Sequence, residues 1–356
     1  MPAMTETPAV LAGQQRSAEL EQAIARDPGA FRILTGDRPT GALHVGHYFG
    51  SLEGRVRLQQ AGVELLVLIA DYQALTDRTA SASLPGDVLG LVADYLATGV
   101  DPDRATIFAH SQVAALNQLL LPFLSLVSVA EIGRNPTVKE EMSVSGSDVM
   151  SGLMFAYPVH QAADILACRA NLVPVGKDQL PHLELTRVIA RRFNERYSPE
   201  TPFFAEPDAL LSAAPLLLGL DGRKMSKSLG NSIPLRASAD ETARLVARAV
   251  TDSDRRITYD PAGRPEVASL VLMAALSLGE TPETVADTVG DGGAAKLKAI
   301  LTTALNDRFA ALRARRTELA ADSGYLRAVL AAGDEKARVL TDATLRAVRR
   351  LMHTSY

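Results

Sequence analysis

Short apolar segments alternate with longer amphipathic ones from residue 31 onward, and this alternation constrains the fold more than any other feature of the chain. The clearest apolar segment is ELLVLIA at residues 64–70, a nearly continuous run that is typical of a strand buried on both faces. Further strands are predicted at residues 31–35, 106–109 and 172–175, and helices at 43–60, 84–99, 113–132 and 178–197. Strands that alternate with helices form parallel sheets wrapped by helices, so the sequence predicts an α/β fold with a doubly wound parallel sheet.

The strand pattern ends near residue 235, and the rest of the chain is predicted to be helical. Helices are indicated at 238–250, 281–288, 294–323 and 334–352, with a turn-rich stretch at 251–266. We therefore divide the chain into a polar N-terminal extension (1–30, with a helix at 14–26), an α/β domain (31–235, with a helical insertion near 113–160) and an all-α C-terminal domain (236–356).

The composition is that of an ordinary soluble globular chain, with 47% hydrophobic and 22% charged residues. A net charge of −4 gives no general attraction to nucleic acid, so an RNA partner would need a local basic patch. One candidate patch is formed by residues 187–196, and another by residues 313–316 together with 346–350. Runs of this kind are more often solvated helix faces, and that interpretation stays open for both.

Cys168 is the only cysteine, which excludes a disulfide framework and a cysteine-rich metal centre within one chain. A single cysteine in an apolar segment suits a reducing compartment. The N-terminus lacks an apolar signal core, and no run of 18 apolar residues occurs. The sequence therefore predicts a cytoplasmic location and no contact with a membrane.

Two histidines, His44 and His47, stand in the stretch GALHVGH, after a predicted strand and at the start of a predicted helix. The first turn of a helix presents free backbone N–H groups and attracts anions. His44 and His47 are three residues apart and so share a helix face, and Gly41 and Gly46 would let a ligand come close to the backbone. This pattern favours a phosphate site.

Two other interpretations of His44 and His47 were weighed. A zinc pair would need a third protein ligand, and no HExxH pattern occurs. His110, His160 and His182 could supply that ligand, but nothing in their spacing indicates it. Packing of both imidazoles in the core is the second alternative, and this stretch alone does not decide against it.

The stretch GRKMSKSLGN at residues 222–231 places Lys224 and Lys227 on either side of Met225 and Ser226. Two lysines in a flexible, glycine-flanked loop can neutralise a polyphosphate whose charge changes as a bond breaks. The pattern KxxKS is common on protein surfaces, whereas the full pentapeptide KMSKS is much more specific.

The stretch GKDQ at residues 176–179 follows a predicted strand and opens a helix. Gly176 would let a nucleoside come close to the backbone, and Asp178 could accept hydrogen bonds from ribose hydroxyls. Asp178 could equally be a simple helix N-cap.

An HxGH helix start followed by KMSKS resembles the two signatures of the class I aminoacyl-tRNA synthetases. Val45 stands where isoleucine is commoner, and the KMSKS match at Lys224–Ser228 is complete. The resemblance extends from about residue 33 to the end of the chain, and it is greatest to the tryptophanyl branch of the tryptophanyl/tyrosyl subgroup. Three more stretches carry it, at residues 34–41, 157–166 (YPVHQAADIL) and 173–189.

This resemblance implies a Rossmann-like catalytic domain that activates an amino acid with ATP, releases pyrophosphate and transfers the aminoacyl group to tRNA. His44, His47, Lys224 and Lys227 would be the catalytic donors, Mg²⁺ would accompany ATP, and the protein itself would hold no metal. For Lys139 a surface-helix role stays plausible. The implied ATP-binding residues are Arg38, Pro39, Thr40, Gly46, His47, Lys139, Gly176, Lys177, Asp178, Leu216, Lys224, Met225, Ser226, Lys227 and Ser228.

The implied amino acid is L-tryptophan, and Asp164 carries this prediction. An indole N–H can only donate, so a pocket specific for tryptophan needs an acceptor, and Ala162 and Ala163 leave room for a bicyclic ring. Tyrosine-specific relatives usually have a tyrosine where this chain has Ala163. Alternatively, Asp164 pairs with Arg169 or a backbone N–H. The implied tryptophan-binding residues are Leu34, Gln73, Tyr157, Gln161, Asp164 and Gln179.

Three positions depart from the subfamily pattern. Gln161 stands where methionine is usual, Gln73 where histidine is usual, and His47 where bacterial members commonly have asparagine. We interpret the chain as a divergent bacterial member that resembles a second copy. The implied partners are tRNA(Trp), bound through the C-terminal helices, and a second copy of the chain in a homodimer, for which residues 113–132 are a candidate interface. Tyrosine activation and activation for a non-tRNA acceptor remain alternatives.

Overall fold

A computed structural model describes residues 8–75, 83–135, 150–176, 179–211, 217–227 and 229–356. Five strands form one parallel sheet: β1 (Arg32–Asp37), β2 (Glu64–Ile69), β3 (Ala105–Ala109), β4 (Leu172–Val175) and β5 (Asp208–Leu211). Their order in the sheet is β3-β2-β1-β4-β5. The order reverses between β1 and β4, and ligands of such sheets bind at the carboxyl ends of the strands beside that point.

Helices cover both faces of the sheet and make up most of the chain after residue 236. A π-helical turn at Tyr48–Leu52 joins the short helix Val45–His47 to the helix Glu53–Ala61, and a 3-10 turn at His110–Gln112 follows β3 directly. Among the residues that the structure describes, no helix combines the length and the apolar character needed to cross a bilayer. The helices are α1 (Pro8–Arg26), α2 (Val45–His47), α3 (Glu53–Ala61), α4 (Asp71–Ala74), α5 (Leu84–Thr98), α6 (Ala114–Leu124), α7 (Val129–Gly133), α8 (Gly152–Ala167), α9 (Leu180–Tyr197), α10 (Ala239–Ala247), α11 (Pro265–Leu278), α12 (Pro282–Val289), α13 (Gly293–Ala321) and α14 (Ser323–Leu351).

The predicted α/β fold with a parallel sheet is confirmed, but some elements differ from their predictions. The single helix predicted at 113–132 is wrong, because α6 ends at Leu124 and α7 begins anew at Val129. Ser128 causes this restart: its hydroxyl accepts the N–H of Glu131, and the Glu131 carboxylate accepts the N–H of Ser128. The short edge strand β5 was not predicted.

Helix α11 was also missed, because the turn-rich stretch was predicted to run to 266 with no helix after it. Pro265 opens this helix, as proline often does at the first helical position. Its residues from Val267 to Ala275 are all buried, so the helix has no polar face to reveal a period in the sequence. Helix α14 begins at Ser323, well before the predicted residue 334, and Asp322 caps it by accepting the N–H of Tyr325.

The apolar core forms two clusters, one on each face of the sheet. Along β2, Leu65, Val67 and Ile69 belong to one cluster, whereas Leu66 and Leu68 belong to the other. The nearly continuous apolar run therefore does mark a strand buried on both faces.

The C-terminal helices share this core with the sheet. Phe309 of α13 lies in the first cluster and Val348 of α14 in the second. Helix α14 lies directly on β3 at Gly333, where an added Cβ would come within 1.8 Å of the carbonyl oxygen of Ile107. Only glycine permits this approach. Both clusters therefore contain residues from either side of the predicted boundary at residue 236.

Candidate active site

A cavity of about 1010 Å³ opens at the carboxyl ends of β1 and β4, the point where the strand order reverses. Gly36 and Asp37 at the end of β1 form one side, and Val175 and Gly176 at the end of β4 form another. Its volume is at the upper end of the range for small-molecule sites, so it can hold more than one small ligand.

Most of the predicted site residues line this one cavity: Leu34, Arg38, Thr40, His44, His47, Gln73, Tyr157, Gln161, Asp164, Gly176, Gln179, Met225, Ser226 and Lys227. Pro39, Gly46 and Lys224 do not line it, and Lys224 is exposed. Lys139, Lys177, Asp178, Leu216 and Ser228 lie outside the described residues.

The two signature segments, far apart in sequence, lie directly against each other. The N–H of Val45 donates to the carbonyl of Ile233 at 3.0 Å, and the N–H of Leu235 donates to that of Leu43 at 2.9 Å. A Cβ at Gly46 would lie 3.1 Å from both the His44 ring and the sulfur of Met225, so a larger residue here would press on both side chains. Backbone pairing and close packing together fix the KMSKS loop on the HVGH helix start.

Lys227 reaches across this junction into the cavity. Its Nζ donates to the carbonyl of Gly41 at 3.1 Å. Burial lowers the pKa of Lys227, while the carboxylates of Asp37, Asp94 and Asp87 act in the opposite direction.

Asn231 braces the loop from within and was not recognised from the sequence. Its Nδ2 donates to the carbonyl of Lys224 at 3.1 Å, and its Oδ1 accepts the N–H of Ser226 at 2.9 Å. These bonds hold the backbone on both sides of Met225. Asn231 is the last residue of the stretch GRKMSKSLGN, and nothing else in the sequence indicates its role.

His44 and His47 are uncharged near neutral pH. Burial lowers the pKa of His44 to about 3 and that of His47 to about 4. Nδ1 of His47 accepts the backbone N–H of His44 at 3.2 Å, so the neutral ring carries its proton on Nε2 and can donate there. The ring centroids lie 3.7 Å apart. The pair can therefore offer hydrogen-bond donors to an anion without carrying charge.

These depressed pKa values predict acid sensitivity of folding. The unfolded state takes up protons at His44 and His47 below about pH 6.5, whereas the folded state does not until about pH 4 or lower. Their contribution to stability is thus present above pH 6.5 and is lost as the pH falls, by up to about 1.4 kcal/mol per pH unit for each histidine.

Urea unfolding of the wild type and of His47→Asn, at pH 7.5 and pH 5, measures this effect. The wild type should lose more free energy of unfolding between the two pH values than the variant. Equal losses would contradict the assignment of a neutral imidazole at His47.

An ion pair with a fully buried arginine lies beside the HVGH helix start. Nη1 of Arg55 donates to Oδ2 of Asp37 at 2.7 Å, and the hydroxyl of Tyr95 donates to the same oxygen at 2.8 Å. Burial alone would raise the pKa of Asp37, but the Arg55 guanidinium holds it well below its usual range. Arg55 lines the cavity, is 3% exposed and has a buried Nε with no partner among the described residues. No local pattern in the sequence indicates this role for Arg55, because it lies in a helix with mostly polar residues.

Asp164 lies at another part of the cavity and is 2% exposed. Its Oδ2 is 2.8 Å from Nε2 of His110, and its Oδ1 has no hydrogen-bond partner in the described part of the chain. The pairing with Arg169 considered from the sequence is wrong, because the Arg169 guanidinium lies 4.2 Å from the ring centroid of Phe203 instead.

His110, His160 and Asp164 bring possible metal-ligand atoms within 4.8 Å of one another. Nε2 of His160 is 3.0 Å from Oδ1 of Asn117, and the nearest contact within the trio is the bond between His110 and Asp164. Two of the three residues are therefore joined by a hydrogen bond, and the third bonds to Asn117 outside the trio. From the sequence, His110 and His160 are only possible third zinc ligands beside His44 and His47.

Arginines of both candidate basic patches are engaged within the chain. In the first patch, Arg191 pairs with Glu206, and Arg192 pairs with Glu131. In the second patch, Arg316 bonds to the buried Asp94, whereas Arg346, Arg349 and Arg350 are exposed and line a shallow surface pocket near the C-terminus.

The doubly wound sheet, with an HxGH helix start and a KMSKS loop meeting at its reversal point, has the arrangement of a class I aminoacyl-tRNA synthetase. Residues 27–310 match the family model for tRNA synthetases class I (W and Y), and the chain belongs to this family.

Individual relatives agree with this membership. The chain is 42% identical over 340 residues to the tryptophan–tRNA ligase of Streptococcus pyogenes serotype M1, an alignment that covers 91% of this chain and 98% of the relative. The corresponding ligase of Lactococcus lactis is 40% identical over 337 residues, with the same shares. The crystal structure of the tryptophanyl-tRNA synthetase from Campylobacter jejuni, complexed with ADP and tryptophan, superposes with a TM-score of 0.78 at 29% identity, covering 90% of this chain and 99% of that one.

Proposed function

We propose that this chain is a tryptophan–tRNA ligase. It activates L-tryptophan with ATP to give tryptophanyl-adenylate and pyrophosphate, and then transfers the tryptophanyl group to the 3′ end of tRNA(Trp). The names of the relatives at 40–42% identity support this function. The observation that carries it is a single cavity lined both by the two signature segments and by the buried acceptor Asp164.

The first step is in-line attack of the tryptophan carboxylate on the α-phosphorus of ATP. Negative charge builds on the five-coordinate centre and on the leaving pyrophosphate, so catalysis depends mainly on positioning and electrostatic stabilisation. The neutral imidazoles of His44 and His47 donate hydrogen bonds to the phosphates, and Lys227 neutralises the pyrophosphate as it leaves.

Mg²⁺ enters this reaction as part of the nucleotide substrate. The two carboxylates among the described cavity-lining residues are Asp37, which Arg55 and Tyr95 occupy, and Asp164, which His110 holds. Each of them already shares a hydrogen bond with a neighbouring side chain, and we do not expect either to bind the ion directly. The ion would therefore be held by phosphate oxygens and water, as Mg²⁺ commonly is in nucleotide sites.

The tryptophan side chain occupies the part of the cavity beside Asp164. The unpartnered Oδ1 of Asp164 accepts the indole N–H, which removes the cost of leaving that oxygen unpaired. Tyr157 lies beside this region, with its hydroxyl 3.1 Å from Nε2 of His182. Leu34, Gln73, Gln161 and Gln179 complete the predicted amino-acid site.

The working form is a cytoplasmic homodimer. Leu121 of α6 and Val129 of α7 are 74% and 73% exposed, which supports the predicted interface in residues 113–132 because exposed large apolar side chains often mark contact surfaces. The exposed Arg346, Arg349 and Arg350 are suited to bind tRNA phosphates, which fix position rather than read sequence.

Amino-acid-dependent exchange between ATP and pyrophosphate, with tryptophan and tyrosine side by side, tests this function. We expect exchange with tryptophan and little with tyrosine, followed by charging of tRNA(Trp). Exchange with tyrosine alone would overturn the role of Asp164, and exchange with tryptophan without tRNA charging would favour a non-tRNA acceptor.

A further inference from the structure

Carboxylate side chains hold the backbone on both sides of His110. His110 follows the last residue of β3, and the N–H of Ala109 donates to Oδ1 of Asp334 at 3.0 Å. On the other side, the N–H of Ser111 donates to Oδ1 of Asp71 at 3.1 Å. Two carboxylates from separate helices therefore hold the amides before and after His110, which leaves its Cα little freedom.

The imidazole of His110 is fully buried and faces Asp164. Since a carboxylate can only accept, Nε2 of His110 must carry the proton of their 2.8 Å hydrogen bond. The rings of His160 and Tyr72 lie 4.7 Å and 6.4 Å from the His110 ring, between centroids, and limit its rotation. Burial alone would lower the pKa of His110, but the charges of Asp164 and Asp71 raise it above its usual value.

This bond determines which oxygen of Asp164 can meet a ligand. His110 occupies Oδ2, so Oδ1 is left as a buried acceptor without a partner among the described residues, on a side chain that lines the cavity. A carboxylate that rotated about χ2 would exchange its two oxygens. The fixed donor at His110 prevents this exchange and offsets the charge of the carboxylate.

We propose that His110 is a positioning residue for amino-acid selection: it orients and charge-compensates Asp164 so that Oδ1 accepts a ring N–H of the substrate. The proposal rests on the proposed function, because it takes the amino acid to be tryptophan. Asp334 and Asp71 act behind His110 by holding its backbone. His110 itself does not touch the reacting atoms.

His110→Gln and His110→Asn form a matched pair that tests the proposal. Both place an amide at residue 110, but only the glutamine amide reaches as far as Nε2 of the histidine. We expect His110→Asn to raise the KM for tryptophan roughly 10–100-fold in ATP–pyrophosphate exchange, with kcat within about threefold of the wild type. His110→Gln should recover most of that loss.

A tryptophan analogue with sulfur in place of the ring N–H gives a second readout. The wild type should strongly prefer tryptophan, and His110→Asn should reduce this preference at least about tenfold, because the acceptor is no longer aimed at the ring. Thr341→Val is the control: it removes a buried hydrogen bond to the carbonyl of Ala337 in α14, outside the cavity, and should leave both KM and preference unchanged.

Several results would overturn the proposal. If the wild type activates tryptophan and His110→Asn has the same KM and the same preference, His110 does not position Asp164, although the proposed function stands. Equal losses in His110→Asn and His110→Gln would also count against it. Stoichiometric zinc in the purified protein would show that His110, His160 and Asp164 form a metal site instead. No exchange by the wild type with tryptophan would instead refute the proposed function itself.

Discussion

Lys227→Ala is expected to lower kcat for tryptophan activation by about 10²–10³, the usual loss when one preorganised donor to a transition state is removed. Lys227 is the cation of the KMSKS loop that lines the cavity, and its Nζ lies on the same side as the HVGH helix start. The charge that it neutralises grows as pyrophosphate leaves. The loss should therefore fall on kcat, and the KM for tryptophan should change little.

Pre-steady-state or exchange kinetics with saturating ATP measure this effect. Arg223→Ala is the matched control, because Arg223 is a cation of the same loop that pairs with Asp221 and lies outside the cavity lining. It should keep the wild-type rate. An unchanged rate for Lys227→Ala, or an equal loss in Arg223→Ala, would show that the loop does not act through a fixed donor at Lys227.

Arg55→Met is expected to destabilise the fold by about 3–5 kcal/mol, the usual cost of removing one partner of a buried ion pair. Arg55 is 3% exposed, and its loss leaves the Asp37 carboxylate, which is 14% exposed, with Tyr95 as the side-chain donor seen among the described residues. Equilibrium unfolding in urea measures the change at neutral pH. The double variant with Asp37→Asn should recover part of the loss, because the second substitution removes the uncompensated charge.

Arg57→Met provides the comparison within the same helix. The Arg57 side chain is 55% exposed and pairs with Glu21 on the surface, so its loss should cost less than about 1 kcal/mol. If both variants lost the same stability, the pair of Arg55 and Asp37 would have no special role. A cost below about 1 kcal/mol for Arg55→Met would lead to the same conclusion.

The sequence was most informative where a local pattern reflects a local cause. The run at residues 64–70 predicted a strand because a strand buried on both faces needs apolar side chains on both. The resemblance carried by the motifs HVGH and KMSKS implied that His44 and Lys227 act on the same ATP. The apolar run predicted the type of sheet, and the resemblance implied many of the residues that line the cavity.

Residues whose role depends on a distant partner escaped prediction. Arg55 pairs with Asp37, which is 18 positions away in the sequence, and His110 bonds to Asp164, which is 54 positions away. Each contact forms only because separate elements pack together. An arginine in a polar helix and an isolated histidine look the same in sequence whether or not such a partner exists. Helix α11 was missed because its residues from Val267 to Ala275 are all buried, so its sequence shows no alternation of apolar and polar residues with the helical period.

The contact between α14 and β3 restricts how this protein can be recombined with its relatives. Gly333 lets the helix touch the strand, and the next residue, Asp334, bonds to the amide of Ala109. A chimera that takes its last helix from another chain would need both a glycine and a carboxylate at these two positions to keep β3 covered. The C-terminal helix therefore cannot be exchanged on its own, and substitutions at Gly333 and Asp334 are constrained by their contacts with β3.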